Sequence, residues 1–225
     1  MRAEITELRN PMSDLPNQSH QSSQSPHTSA ETTPTTPTRE EQFLAAHLAP
    51  PQPLNGPISI ADYDPTWPRL YEIEASKIHA ALGERVLLLE HVGSTSVPKL
   101  AAKPLLDILL VVADTTDEAA YVPALEAQGY ALLIREPDWH EHRMLKGLTP
   151  AVNLHVFNPG CVEIRRMRLM RDWLRANPAD RALYERTKRG LARREWKYTQ
   201  NYADAKSDVV EAILARAFAA ETQPE

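Results

Sequence analysis

Residues 86–112 read VLLLEHVGSTSVPKLAAKPLLDILLVV, and the fold turns on how that stretch divides. Residues 86–92 and 105–112 are short runs rich in Val, Ile and Leu, a length that suits buried strands better than helices. Gly93, Ser94, Thr95 and Ser96 break the first run. A glycine followed by three hydroxyl residues makes a tight turn whose backbone N–H groups and side-chain donors can converge on an anion, phosphate above all. Asp107 lies inside the second run, where a carboxylate must be paired, hydrogen-bonded or metal-bound, because an isolated buried charge is too costly.

Outward from this stretch, the chain alternates. Residues 58–82 begin as a short extended segment and then place Leu70, Ile73, Ile78 and Ala81 near one helical stripe, with Asp64 or Thr66 as N-cap and Gly83 as the stop. After residue 112 the pattern predicts a short helix ending at Gly129, a strand over 130–134, and strands over 143–146 and 152–157 joined by GLTPA. From Glu163 onward the spacing is helical throughout. The expected fold class is α+β, a mixed β-sheet flanked by helices, with a C-terminal helical segment and a disordered N-terminal tail. Residues 1–55 form that tail: Ser, Thr, Pro, Gln and His dominate it and bury too little to offset the entropy of ordering, although 40–47 is helix-compatible. Residues 56–220 form the folded domain.

A Gly-Ser pair closing one strand, then twelve residues, then Asp in a hydrophobic strand resembles the nucleotidyltransferase signature hG[GS] followed by Dh[DE]h. The longer wording EHVGSTSVPKLAAKPLLDI, with NLHVF, RDWLRANP and YADAK downstream, is similar to the GrpB family over roughly residues 58–218. That resemblance implies a nucleotidyltransferase-like fold, a Gly-Ser turn that holds a triphosphate, and strand carboxylates that hold a divalent metal. Leu109 stands where catalytic members of the superfamily carry a second Asp or Glu. GrpB-like domains also occur fused to dephospho-coenzyme A kinase, which points to a nucleotide-metabolism context by analogy.

The candidate chemistry follows from these residues. Asp107 and His155 are the expected catalytic pair, and Asp107, Glu90 and His155 the expected ligands of Mg²⁺ or another divalent cation, since oxygen donors suit Mg²⁺ and neutral imidazole can complete the set. Asn153, His155 and Phe157 share one face of their strand, opposite the apolar pair Leu154 and Val156. Gly93, Ser94, Thr95, Ser96, Lys103, Arg143, Lys146 and Arg168 are the expected phosphate or nucleotide contacts. Residues 163–197 carry twelve Lys or Arg against five Asp or Glu, a local positive field in an otherwise acidic chain. His140 and His142, in PDWHEHR, read as a loop cluster rather than a zinc site.

Composition bounds the function. The chain has 225 residues, 42% hydrophobic and 24% charged, with net charge −5, which gives no global case for nucleic acid or an anionic membrane. No apolar stretch approaches the ~20 residues of a membrane span. The single Cys161 and the apolar-poor start fit a cytoplasmic protein. Two readings remain: a metal-dependent nucleotidyl or phosphoryl transferase, or a non-catalytic module that binds a nucleotide, another phosphorylated small molecule or a protein partner.

Overall fold

Isoleucine, leucine and valine of residues 106–111, the second strand of the sheet, enter the hydrophobic clusters on both of its faces. The computed structural model describes residues 37–54 and 56–221. In chain order these hold α1 (Arg39–Ala46), α2 (Trp67–Leu82), β1 (Leu88–Val92), β2 (Leu106–Val111), α3 (Val122–Glu126), β3 (Tyr130–Glu136), β4 (His142–Gly147), β5 (Val152–Phe157), α4 (Val162–Ala176), α5 (Pro178–Ala192), α6 (Thr199–Asp204) and α7 (Ser207–Glu221). The five strands form one sheet in the order β1-β2-β5-β4-β3. β2 and β5 run parallel, while the other three pairings are antiparallel. This is the expected α+β class.

Period-two alternation decides which layer each side chain joins. Ile108 and Leu110 of β2, Leu145 of β4, and Leu154 and Val156 of β5 pack under Trp67, Ile78 and Leu82 of α2 and Leu125 of α3. On the other face, Val92, Leu109, Val111 and Phe157 meet Met167 of α4. A strand buried on both faces reads as a continuous apolar run, which is why 105–112 shows no polar alternation except at Asp107. A second helical layer joins Leu174 of α4, Tyr184 of α5 and Val210, Ile213 and Leu214 of α7 to Val97 and Leu100, just beyond the Gly-Ser turn. That layer brings the basic helices beside the turn.

Both ends of α2 obey local rules. The Asp64 carboxylate accepts from the Thr66 N–H and hydroxyl at 2.8 and 2.7 Å, Pro68 sits in the first turn, and Gly83 (φ +55°) ends the helix. The C-terminal region is helical as expected, divided at Asn177 and Pro178 between α4 and α5, and the short α6 intervenes before α7.

The chain before residue 55 departs from expectation. Thr38 and Glu41 form a capping box on α1. His47 pairs with Ile134 of β3, the Leu48 N–H donates to the Leu133 carbonyl at 3.0 Å, and the Leu54 N–H donates to the Lys197 carbonyl at 3.0 Å. His47 and Leu48 are therefore docked on the β3 edge, where an edge strand's unpaired backbone groups accept the segment that reaches them, and Leu54 is tied to the segment after α5. The disorder expected of residues 1–36 lies outside the described residues. No described helix is long and apolar enough to cross a membrane.

Candidate functional site

Gly93 takes φ +69° and ψ −171°, a conformation that is essentially reserved for glycine. It delivers the chain from β1 into a 3₁₀ turn, Ser94–Ser96, set against the start of β2. A Cβ on Gly93 would lie 2.9 Å from Asp107 Cβ and 3.0 Å from its Cγ, and closer still to Oδ2. The turn and the carboxylate are thus one structural unit.

The three hydroxyls of the turn have separate duties. Ser96 Oγ donates to the Gly93 carbonyl at 2.6 Å, closing the turn on itself. Thr95 Oγ1 donates to the Leu105 carbonyl at 3.1 Å, so it must accept from Nε2–H of His91, 3.0 Å away. Burial pushes the pKa of His91 down to about 4, which keeps that ring neutral. Ser94 differs. Its oxygen accepts from the buried Lys188 ammonium at 3.0 Å, and Lys188 also donates to the Ala101 carbonyl at 2.6 Å. An ammonium only donates, so the Ser94 hydroxyl keeps its own proton to offer. Of the three hydroxyls, those of Thr95 and Ser96 are spent within the turn and its neighbours, and that of Ser94 keeps a proton to donate.

Across the sheet, Asp107 of β2 pairs with Asn153 of β5, and Asn153 with Lys146 of β4. The Asn153 amide donates to Asp107 Oδ1 at 3.1 Å. Burial pushes the Asp107 carboxyl up. The His155 imidazole, the Asn153 amide and the Lys206 charge together outweigh it and hold the group below its ordinary value. Lys103, on the segment entering β2, has its pKa lowered by burial first and then by the neighbouring Lys146 and Lys206, with Asp107 acting the other way. Lys103, Lys146 and Lys206 therefore share one electrostatic neighbourhood with the Asp107 carboxylate.

His155 lies in the adjoining row. Its Nε2 stands 3.7 Å from Asp107 Oδ1, beyond hydrogen-bond length. Its Nδ1 is 3.1 Å from Nε2 of His142, whose Nδ1 is 2.8 Å from Glu136 Oε2. The His142 ring stacks on Phe157 at 4.7 Å and meets Trp139 edge-on. Glu136, His142 and His155 are all buried.

Other expected site residues are drawn elsewhere. Glu90 pairs with Leu109, and Leu109 with His155, which puts Glu90 two strand spacings, roughly 10 Å, from His155. Its carboxylate is held by Arg168 at 3.1 Å and Arg171 at 2.6 Å, both from α4. Arg168 is thereby a partner of Glu90 and not a wall of the lysine pocket. Arg143 lies an odd number of residues from Lys146 and so takes the opposite face, where it bonds Glu118 at 2.6 Å. His142 is part of the sheet and not of a loop; the loop's His140 takes a positive φ of 56°.

Of the three ligands expected for a divalent metal, Glu90 is taken up by Arg168 and Arg171, while Asp107 and His155 stand near one another. Among the described residues there is no group of three or more His, Cys, Asp or Glu able to hold an ion. Beside Asp107 stand the Asn153 amide and the His155 imidazole. Behind the turn a cleft of about 400 Å³ opens among Tyr71, Glu90, His91, Ser96, Arg171 and Arg175. Its arginines are already engaged: Arg175 donates to the Ser96 carbonyl at 2.8 and 3.1 Å, bracing the turn from outside.

Sequence reasoning missed Lys188, Lys206 and the Glu136–His142 pair. The local signals were the YADAK wording that contains Lys206, a lysine at helical spacing from Tyr184 on α5, and charged residues bordering apolar strands.

The comparisons with known proteins agree on one family. The profile described as GrpB protein matches residues 57–216. A UPF0157 protein of Halalkalibacterium halodurans is 57% identical over 166 residues, covering 74% of this chain and 85% of that protein. The crystal structure of the conserved protein GrpB from Enterococcus faecalis superposes with a TM-score of 0.63 at 29% identity, covering 73% of this chain and all of the other. A dephospho-CoA kinase of Mycolicibacterium paratuberculosis is 29% identical over 177 residues, of which the match spans 43% of that longer protein.

Proposed function

The chain belongs to the GrpB family, and from that premise we propose that it binds a phosphorylated small molecule, of nucleotide class, between the Gly93–Ser94 turn and the lysines around Asp107. One observation carries the reading: Lys103 feels the charges of Lys146, Lys206 and Asp107, and Asp107 packs against the Gly93 turn. Like charges that shelter one another from water repel unless an anion is added, and charge-assisted bonds to phosphate are roughly twice as strong as neutral ones. Gly93 lets the backbone approach, and Ser94 supplies a hydroxyl donor. The mycobacterial relative named as a dephospho-CoA kinase supports a ligand of the nucleotide-bearing coenzyme class.

Calorimetric titration of the full chain with ATP and with inorganic phosphate tests this. Saturable binding that weakens at least fivefold in Lys103→Ala and in Lys146→Ala is expected, with a falling affinity as salt rises. A wild-type protein that takes up neither would end the reading.

A second reading is favoured by Glu90 and Leu109. With Glu90 locked by two arginines and Leu109 apolar, no pair of carboxylates faces the pocket. On that reading the protein binds its ligand without transferring phosphate.

A further inference from the structure

Behind His155 the sheet buries a line of side chains that ligand binding alone does not need. Glu136 Oε2, His142 and His155 are linked at 2.8 and 3.1 Å, and the line ends at His155 Nε2. That nitrogen is buried and has no hydrogen-bond partner among the described residues, yet it is aimed at Asp107 Oδ1, 3.7 Å away. We propose that Glu136, His142 and His155 form a proton relay whose open end, His155 Nε2, takes a proton from a hydroxyl group of the ligand held beside Asp107. The proposal rests on the phosphate-binding reading for the ligand's position.

Hydrogen-bond direction along the line follows from chemistry. The Glu136 carboxylate accepts, so His142 carries its proton on Nδ1. Burial pushes the pKa of His142 down to about 4, so the ring is neutral and its Nε2 is bare. That bare nitrogen accepts from His155 Nδ1–H, and in a neutral His155 ring, which the relay requires, Nε2 is then bare. Asp107 Oδ1 is also an acceptor, already receiving the Asn153 amide. Two acceptors 3.7 Å apart are completed by a donor placed between them, and a ligand hydroxyl is such a donor.

The transfer balances. The hydroxyl proton passes to His155 Nε2, the His155 Nδ1 proton to His142 Nε2, and the His142 Nδ1 proton to the Glu136 carboxylate. Both rings end neutral in the opposite tautomer, Glu136 ends as the neutral acid, and the electron pair stays on the ligand oxygen beside Lys103 and Lys146. No buried imidazolium forms, and burial penalises an imidazolium heavily. His155 is the group that touches the ligand, while His142 and Glu136 position it and set its tautomer.

The test is ¹⁵N NMR of the full chain with labelled histidine at neutral pH. Without ligand, His142 and His155 are both expected as Nδ1–H tautomers with Nε2 bare. His155 protonated on Nε2, or doubly protonated, would overturn the relay. In His142→Phe, which keeps an aromatic ring against Phe157, His155 should become a tautomer mixture while inorganic phosphate affinity stays within twofold; an unchanged His155 signature would count against it. Adenosine monophosphate should shift the Nε2 resonance, and inorganic phosphate should not. A nucleotide that binds without shifting it, or Mg²⁺ alone shifting it, would overturn the proposal, the latter in favour of a metal seat. Absence of any phosphate binding would instead remove the ligand reading and leave the tautomers standing.

Discussion

The backbone of Gly93 is pressed against the carboxylate of Asp107, so that a methyl group at residue 93 would stand 2.9 Å from Asp107 Cβ. Real Cβ atoms essentially never come that close, and β2 is packed on both faces and cannot retreat. Two independent costs should follow from Gly93→Ala. The positive φ with an extended ψ costs ~1–3 kcal/mol for a residue with Cβ, and the clash adds to it. Urea denaturation should show a loss of that order, and the double mutant Gly93→Ala/Asp107→Gly should recover the clash but not the backbone strain. Additive effects in the double mutant would mean that the two residues do not touch.

Asp107→Asn separates a carboxylate among lysines from a carboxylate that holds metal. Neutralising Asp107 should tighten phosphate binding in Mg²⁺-free buffer by roughly 1–2 kcal/mol, the scale of one charge at several ångströms in a partly wet site. Loss of binding would support a metal-ligand role.

The same residue predicts an acid limb. Because the folded-state pKa of Asp107 is depressed, its stabilising contribution is complete above the ordinary carboxylate range and is lost as pH falls through the folded value. The stability difference between wild type and Asp107→Asn should therefore shrink on acidification below pH ~4. A gap that stays constant from neutral pH to pH 3 would show that Asp107 has no depressed pKa.

Lys188 reaches from α5 to the turn, donating to Ser94 Oγ at 3.0 Å and to the Ala101 carbonyl at 2.6 Å from a buried position. Lys188→Met should strip both acceptors of this donor and cost about 3 kcal/mol, with a looser turn that also weakens phosphate. Lys206→Met, on a half-buried residue, should weaken phosphate with much less effect on stability. Equal denaturation midpoints for wild type and Lys188→Met would contradict this.

The ties made by His47, Leu48 and Leu54 change what truncation should do. Removing residues 1–54 deletes the Leu48 and Leu54 backbone bonds and should cost roughly 2 kcal/mol at ~1 kcal/mol each. Removing residues 1–36, whose composition offers little apolar surface, should leave the thermal midpoint nearly unchanged. Identical midpoints for the two truncations would show that the docked segment contributes nothing.

The sequence by itself determined the elements whose cause is local. Two apolar runs separated by Gly93 became β1 and β2 because length, branching and a glycine-only turn are properties of consecutive residues. The face of His155 followed from period two, and α2 followed from its apolar stripe and from Gly83. That same period already set Arg143 and Lys146 on opposite faces. Only the tertiary structure decided what lies over each face. Glu90 and Asp107 share a side of the sheet, yet α4 brings Arg168 and Arg171 onto Glu90, while Asp107 is coupled electrostatically to Lys103 and Lys206. His142 looked like part of a polar loop until the register of β4 with β5 set it against His155. Lys188 meets Ser94 across almost half the chain. Periodicity fixes the side from which a residue projects; its partner there is set by the packing of distant segments, through a burial energy that depends on apolar area and is indifferent to which polar groups are carried along.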